Sequence, residues 1–163
     1  MGCRGALFAI TAKEVVKLRA FEDPEELITH ITDVIEERDL GGKWGIETDE
    51  AWDAIQRCFG AGLMDWQTGE YPLNQVILAG EPLYYEGDYV VSLKTPEQVA
   101  DIAAAIATIT REKLHELYFK INAKKYGQKL TEDDFDFTWT WFEPLIPFYH
   151  QAAKAKRSVL FTV

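Results

Sequence analysis

Residues 137–163 constrain the fold more than any other stretch of this chain. Phe135, Trp139, Phe142, Leu145 or Ile146, Tyr149 and Ala152 or Ala153 recur at helical spacing, after which Val159, Leu160, Phe161 and Val163 read as a short strand. An aromatic helix that delivers the chain into an apolar strand builds core, because the helix needs a surface to cover and the strand needs neighbours to pair with. Pro144 and Pro147 fall inside the helical pattern, each lacking an N–H and crowding the carbonyl four residues back. They predict a kink, or a stop near Phe142 and a fresh helix with Pro144 in its first turn.

Helix starts are marked along the rest of the chain by short polar side chains able to satisfy orphan N–H groups. Thr11 with Glu14 is a T-x-x-E capping box, Asp23 precedes Pro24, Thr48 precedes Asp49-Glu50, Thr95 with Gln98 is a second box, and Thr110 and Thr131 open two more helices. Apolar stripes follow each signal: Leu27/Ile28/Ile31/Val34/Ile35, Trp52/Ile55/Phe59, Val99/Ile102/Ala103/Ile106/Ile109 and Leu114/Leu117/Tyr118/Ile121. Strands are predicted at Ala6–Ile10, Tyr89–Leu93 and Ser158–Phe161. Residues 72–79 read as a short helix with Pro72 at its first position and Gly80 just past its end. The expected fold class is α+β: a single compact domain over residues 1–163, about six helices packed with a small sheet of three or four short strands.

Twenty-seven acidic residues against 17 basic ones give a net charge of −10, which repels a phosphate backbone and attracts cationic partners. Nucleic acid is therefore excluded as the expected partner. The acid is concentrated between Glu22 and Asp39, whereas much of the base lies in 113–129 and 154–157. Only Cys3 and Cys58 are present, with no disulfide framework, which suits a reducing, cytoplasmic setting. No apolar window approaches the roughly eighteen residues of a membrane span, so no membrane association is expected. Met1-Gly2-Cys3 has the outline of an acylation start, but Ala6 stands where that pattern wants Ser or Thr, and the expected reading is an ordinary start.

Signatures of catalytic chemistry are few. Ser92 and Ser158 lie in or beside predicted strands, outside any G-x-S-x-G elbow. Cys58 shares a stripe with Trp52, Ile55 and Phe59 and reads as core, since a reactive thiol needs exposure and a cationic neighbour. His30, His115 and His150 are isolated, so no metal and no cofactor are expected. The acidic run 131–136 lacks the glycine and distal glutamate of a calcium loop and is better explained as a helix N-terminus.

The order of MGCRGALFAITAKEV, DEAWDAIQRCF, PLNQVILAGEPL, YVVSLKTPEQVADIAAAI and FYHQAAKAKRSVLFTV resembles the YfbM-like bacterial family of unknown function across nearly the whole chain. That resemblance implies a compact α+β fold and supplies no activity, substrate or catalytic set. The doubled proline in the last helix, and Asp49-Glu50 where relatives often carry a basic residue, depart from the family pattern.

Aromatic surplus is the remaining signal. Phe137, Trp141 and Phe148 form a second line beside the main stripe of the last helical region. One explanation is a helix buried on two sides, with Phe137 in the core. The other is a groove in which Trp141, with Trp66, Tyr84 and Tyr85, stands beside Glu86 and Asp88, because Trp and Tyr give large contact area with a polar tip. The leading functional expectation is a non-catalytic acidic domain that binds a cationic protein, an inhibitor or immunity-type neutraliser being one form, acting as a monomer or weak homodimer. The alternative is an enzyme or small-ligand protein with Glu86, Asp88 or His150 as acid–base groups in a cleft lined by those aromatics.

Overall fold

Strands β1 (Gly5–Ile10), β2 (Gly45–Asp49), β3 (Glu81–Tyr84), β4 (Val91–Lys94) and β5 (Ser158–Thr162) form one sheet in the order β2-β1-β5-β4-β3, every neighbouring pair antiparallel. This computed structural model describes residues 3–163; Met1 and Gly2, on which the acylation reading partly rests, lie outside them. The C-terminal strand is central, with Ala6–Ile10 facing one side of it and Val91–Lys94 the other.

Alternation along the strands divides the core into two faces. Leu7, Ala9, Val159 and Phe161 point into a wide layer made by α4 (Trp52–Phe59), α5 (Pro96–Ile106), α6 (Arg111–Tyr118), α8 (Glu132–Phe142) and α9 (Leu145–Lys154), with the single turn α7 (Ala123–Tyr126) at its rim. Ala6, Phe8, Ile10, Val91, Leu93 and Leu160 point the other way, under a hairpin of α1 (Ala12–Ala20) and α2 (Pro24–His30). The second helix continues without a break through wide π turns at Ile31–Glu36 into α3 (Glu37–Asp39). Counting 24–39 as one helix, the described residues hold seven helices of about two turns or more, together with α7, around a five-stranded sheet. The fold is thus a single compact α+β domain with one helix and one or two strands more than expected.

Five of the six predicted caps form. Thr11 and Thr95 accept from Glu14 N and Gln98 N (3.3 and 3.2 Å) in full capping boxes, and Asp23, Thr110 and Thr131 cap α2, α6 and α8. Thr48 is the exception: it is fully buried in β2, and α4 begins after Ala51 without a side-chain cap. Gly5 makes that arrangement possible. A Cβ there would lie 2.6 Å from Thr48 Oγ1 and 3.1 Å from Trp52 Cβ, so only glycine lets β1 close onto β2 and the start of α4. The stretch after Pro72 is also corrected. It forms one 3₁₀ turn, Leu73–Gln75, and Gly80 at φ +140° precedes a strand instead of ending a helix. At the two prolines the chain takes the second course, with α8 ending at Phe142 and Pro144 standing immediately before α9.

Candidate functional site

The six residues expected to share a groove are distributed over the molecule. Trp66 and Tyr85 meet edge to face with ring centroids 6.4 Å apart, and both line a depression of about 460 Å³ beside Gly80 and Pro82 at the β3 edge. Tyr84 turns to the other face of the sheet and packs on the hairpin core. Glu86 and Asp88 are exposed in the following loop, and neither they nor the exposed His150 line that depression. Trp141 lies at the opposite edge of the sheet, half-buried beside Ile46 and Glu47 of β2. A groove uniting all six is overturned by strand order, since β2 and β3 are the two outer strands. Phe137 is corrected too: it is 40% exposed, while Phe148 is the buried member of the second aromatic line.

Phe137 instead overlooks a different cleft, of about 270 Å³, between the start of α4 and the α7–α8 corner. Trp52, Tyr126 and Phe137 are its aromatic walls, and Glu50, Asp53 and Asp134 are its carboxylates. Among the described residues no lysine, arginine or histidine lines it. Trp52 is fixed by its indole N–H, which donates to the Cys3 carbonyl at 2.8 Å, and by its ring against Phe161 at 5.9 Å. One helical turn on, Arg57 donates to Asp53 at 2.5 Å from behind the wall and lies 5.4 Å over the Tyr126 ring.

Asp134 is held by its neighbours more completely than any other acid in the cleft. Tyr118 and Tyr126 donate their hydroxyls to Asp134 Oδ2 at 2.6 and 2.9 Å, and Gln128 approaches the same oxygen at 3.5 Å. Among the described residues nothing donates to Oδ1. Asp134 occupies the third position of α8, from which an acidic side chain ordinarily reaches back to the N-cap N–H. Here the Thr131 N–H donates to the Tyr118 hydroxyl at 3.3 Å, and Tyr118 passes a hydrogen bond on to Asp134. The cap is closed through a tyrosine, so the carboxylate can face the cleft. Burial and the adjacent carboxylate push both phenols above the ordinary tyrosine range, which keeps them protonated as donors. The assembly is a rigid, negatively charged notch with aromatic sides, a geometry for holding a cation.

A second perturbed group lies inside the wide layer. Lys94 is fully buried; its amine contacts the Ile77 carbonyl, sits 2.9 Å from Ser92 Oγ and lies 5.5 Å over the Phe161 ring. Desolvation lowers its pKa well below that of an ordinary lysine. Ser92 is equally buried, and neither residue lines any of the clefts described here, so the pair is part of the interior. Cys58 is buried as expected, and burial pushes its thiol up.

In the sequence most walls of this cleft read otherwise: Trp52 belongs to a core stripe, Asp134 to a helix N-terminus, Phe137 to the second aromatic line, and Tyr126 and Gln128 to a basic stretch. Two signals were available: the i,i+4 pair Asp53–Arg57, and an acid three residues after the Thr131 cap. Neither shows which surfaces meet, because α4 and α8 are brought together only by the tertiary fold.

Residues 1–162 match the family described as Domain of unknown function (DUF1877), and the chain belongs to that family. No curated protein matches it. Among solved structures it is similar to the crystal structure of a protein of unknown function, YfbM from Escherichia coli, with a TM-score of 0.70 and 17% identity over 98% of this chain and 99% of that one. A likeness at that identity establishes the shared fold and carries no chemistry.

Proposed function

We propose that this chain is a non-catalytic binding domain that receives a cationic side chain of a partner protein in the Trp52/Phe137/Asp134 cleft. The observation that carries the reading is the cleft's composition: three aromatic rings and three carboxylates, Asp53 already paired with Arg57 and Glu50 and Asp134 without a basic partner among the described residues, around about 270 Å³. The volume suits one lysine or arginine side chain. Facing aromatic rings add about 0.5–1 kcal/mol to cation binding at an exposed site and about 2 kcal/mol where water is excluded. A chain charge of −10 steers basic partners in and keeps nucleic acid out. An inhibitor or immunity-type neutraliser of a basic protein is one form this activity takes. Two free cysteines suit the bacterial cytoplasm as its setting. Among the described residues no helix is long and apolar enough to cross a membrane.

Titration with N-acetyl-arginine amide and N-acetyl-lysine amide, followed by NMR at the Trp52 indole N–H, tests the reading. The expected result is a saturable shift for the cations and none for the norleucine analogue. Binding should weaken about tenfold in Glu50→Gln or Phe137→Ala, each removing about 1.4 kcal/mol. An indole signal that stays fixed with both cations rejects the cleft as the binding site.

A further inference from the structure

The outer side of the α1–α2 hairpin carries a groove unrelated to that cleft. Two adjoining depressions of about 450 and 640 Å³ share Lys17, His30 and Val34, so they form one trough between the helices. Its floor is apolar and open: Val16 is 69% exposed and Val34 43%. The π turns create this surface. Leu27, Ile31, Ile35 and Asp39 fall four apart on the buried side of the helix, and the wide turns keep that spacing in line. A second line, also spaced by four, therefore runs through His30, Val34 and Arg38 along the trough, which is why Val34 leaves the core that its place in the apolar stripe predicts.

Charge is unevenly divided along the trough. Lys13 and Arg38, with Glu14, line the depression at the open end of the hairpin, Asp23, Glu25, Glu26 and Asp33 line the one toward the turn, and Lys17 stands between them. Arg38, at the open end, is committed to Glu14 and Asp39 at 2.7 and 2.6 Å, so the two lysines supply the available positive charge there. A surface that is basic in one half and acidic in the other is complementary to itself after a twofold rotation. We propose that the trough binds a second copy of this chain, the two hairpins packing as a twofold-symmetric four-helix bundle with each basic half on the partner's acidic half. Short side chains at Val16, Ala20 and Val34 allow the roughly 8–10 Å approach that helix packing requires. Repulsion between two chains of net charge −10 is screened beyond about 8 Å at physiological salt, whereas the trough charges meet at contact.

Sedimentation equilibrium at about 0.15 M salt, with protein raised toward millimolar, reads the result. The mass should rise from 18.6 kDa toward twice that value. Val16→Glu with Val34→Glu should return it to monomer with an unchanged melting temperature, since both positions are exposed. Lys13→Glu with Lys17→Glu leaves Arg38 as the one arginine or lysine in a trough otherwise acidic, and Glu25→Lys with Glu26→Lys leaves it predominantly basic despite Glu14, Asp23 and Asp33; each variant should be monomeric alone, and an equimolar mixture of the two should pair. A parent chain that stays at 18.6 kDa throughout, or charge variants that fail to pair when mixed, overturns the proposal. Neither outcome bears on the cation cleft, which lies on the other face of the sheet.

Discussion

The two faces of the sheet are covered to different depths. On the wide face five helices and a helical turn lie over the strands, deep enough that Lys94, Ser92, Gln56 and Tyr149 are sealed from solvent. Each finds a partner within that layer: Gln56 Oε1 accepts from Leu78 N at 2.9 Å, and Tyr149 donates to the Val76 carbonyl at 2.6 Å. On the narrow face two helices cover the strands with Val15, Leu18, Leu27, Ile31 and Ile35, and the outer sides of the same helices remain exposed. Depth decides what each face can hold. A thick layer can bury an amine if it surrenders its proton, whereas a thin one leaves apolar side chains such as Val16 in water, where only a partner can cover them.

Removing residues 158–163 should have the largest effect, because β5 belongs to both faces. Val159 and Phe161 are buried in the wide layer and Leu160 in the narrow one, and the strand's backbone pairs with β1 and β4. Losing three buried side chains at about 2–5 kcal/mol each approaches the whole stability of a domain, about 5–15 kcal/mol. The truncated chain should show no cooperative thermal transition. A melt coinciding with that of the full chain would show that the two faces do not depend on a common strand.

Lys94 sharpens the contrast through pH. Its folded pKa lies well below the ordinary 10.5, so between the two values the unfolded chain holds a proton that the folded chain does not. Stability therefore falls as pH drops through this window, by up to about 1.4 kcal/mol per unit, and the loss ends once the folded amine is itself protonated. Other groups of the chain change charge at alkaline pH as well, so the informative quantity is the difference between the parent and Lys94→Met. Urea denaturation between about pH 8 and 9.5 should show the parent gaining on the variant as pH rises. Parallel curves would mean that the amine is charged inside the wide layer.

Local signals made much of this architecture readable. Thr11, Asp23, Thr95, Thr110 and Thr131 announce their helices because a cap is a contact between near neighbours in sequence. Strand β2 stayed hidden because GIETD has no run of alternating apolar residues and pairs only along an edge. β3 was obscured by Pro82, which an outer strand tolerates and sequence patterns read as a breaker. Lys94 falls one residue past the predicted strand Tyr89–Leu93, and nothing local indicates that a lysine there is fully buried. The candidate cleft was hidden for the same reason as the edge strands. Its walls come from Cys3, the start of α4 and the α7–α8 corner, and their meeting is a long-range event that no spacing encodes.

The smallest predicted effect tests where the wide face ends. Trp141 and Phe137 stand one helical turn apart on α8 with ring centroids 6.3 Å apart, and both belong to the same line of aromatics. Trp141 leans on the wide-face core and on the β2 edge, whereas Phe137 projects over the cation cleft. Trp141→Ala should cost about 1–2 kcal/mol, less than the 3–5 kcal/mol of a fully buried aromatic, because part of the side chain already meets water. Phe137→Ala should stay within about 0.5 kcal/mol of the parent in chemical denaturation. If Phe137→Ala proves the more destabilising of the two, the boundary between core and cleft runs on the other side of that helix, and the aromatic wall assigned to cation binding is core.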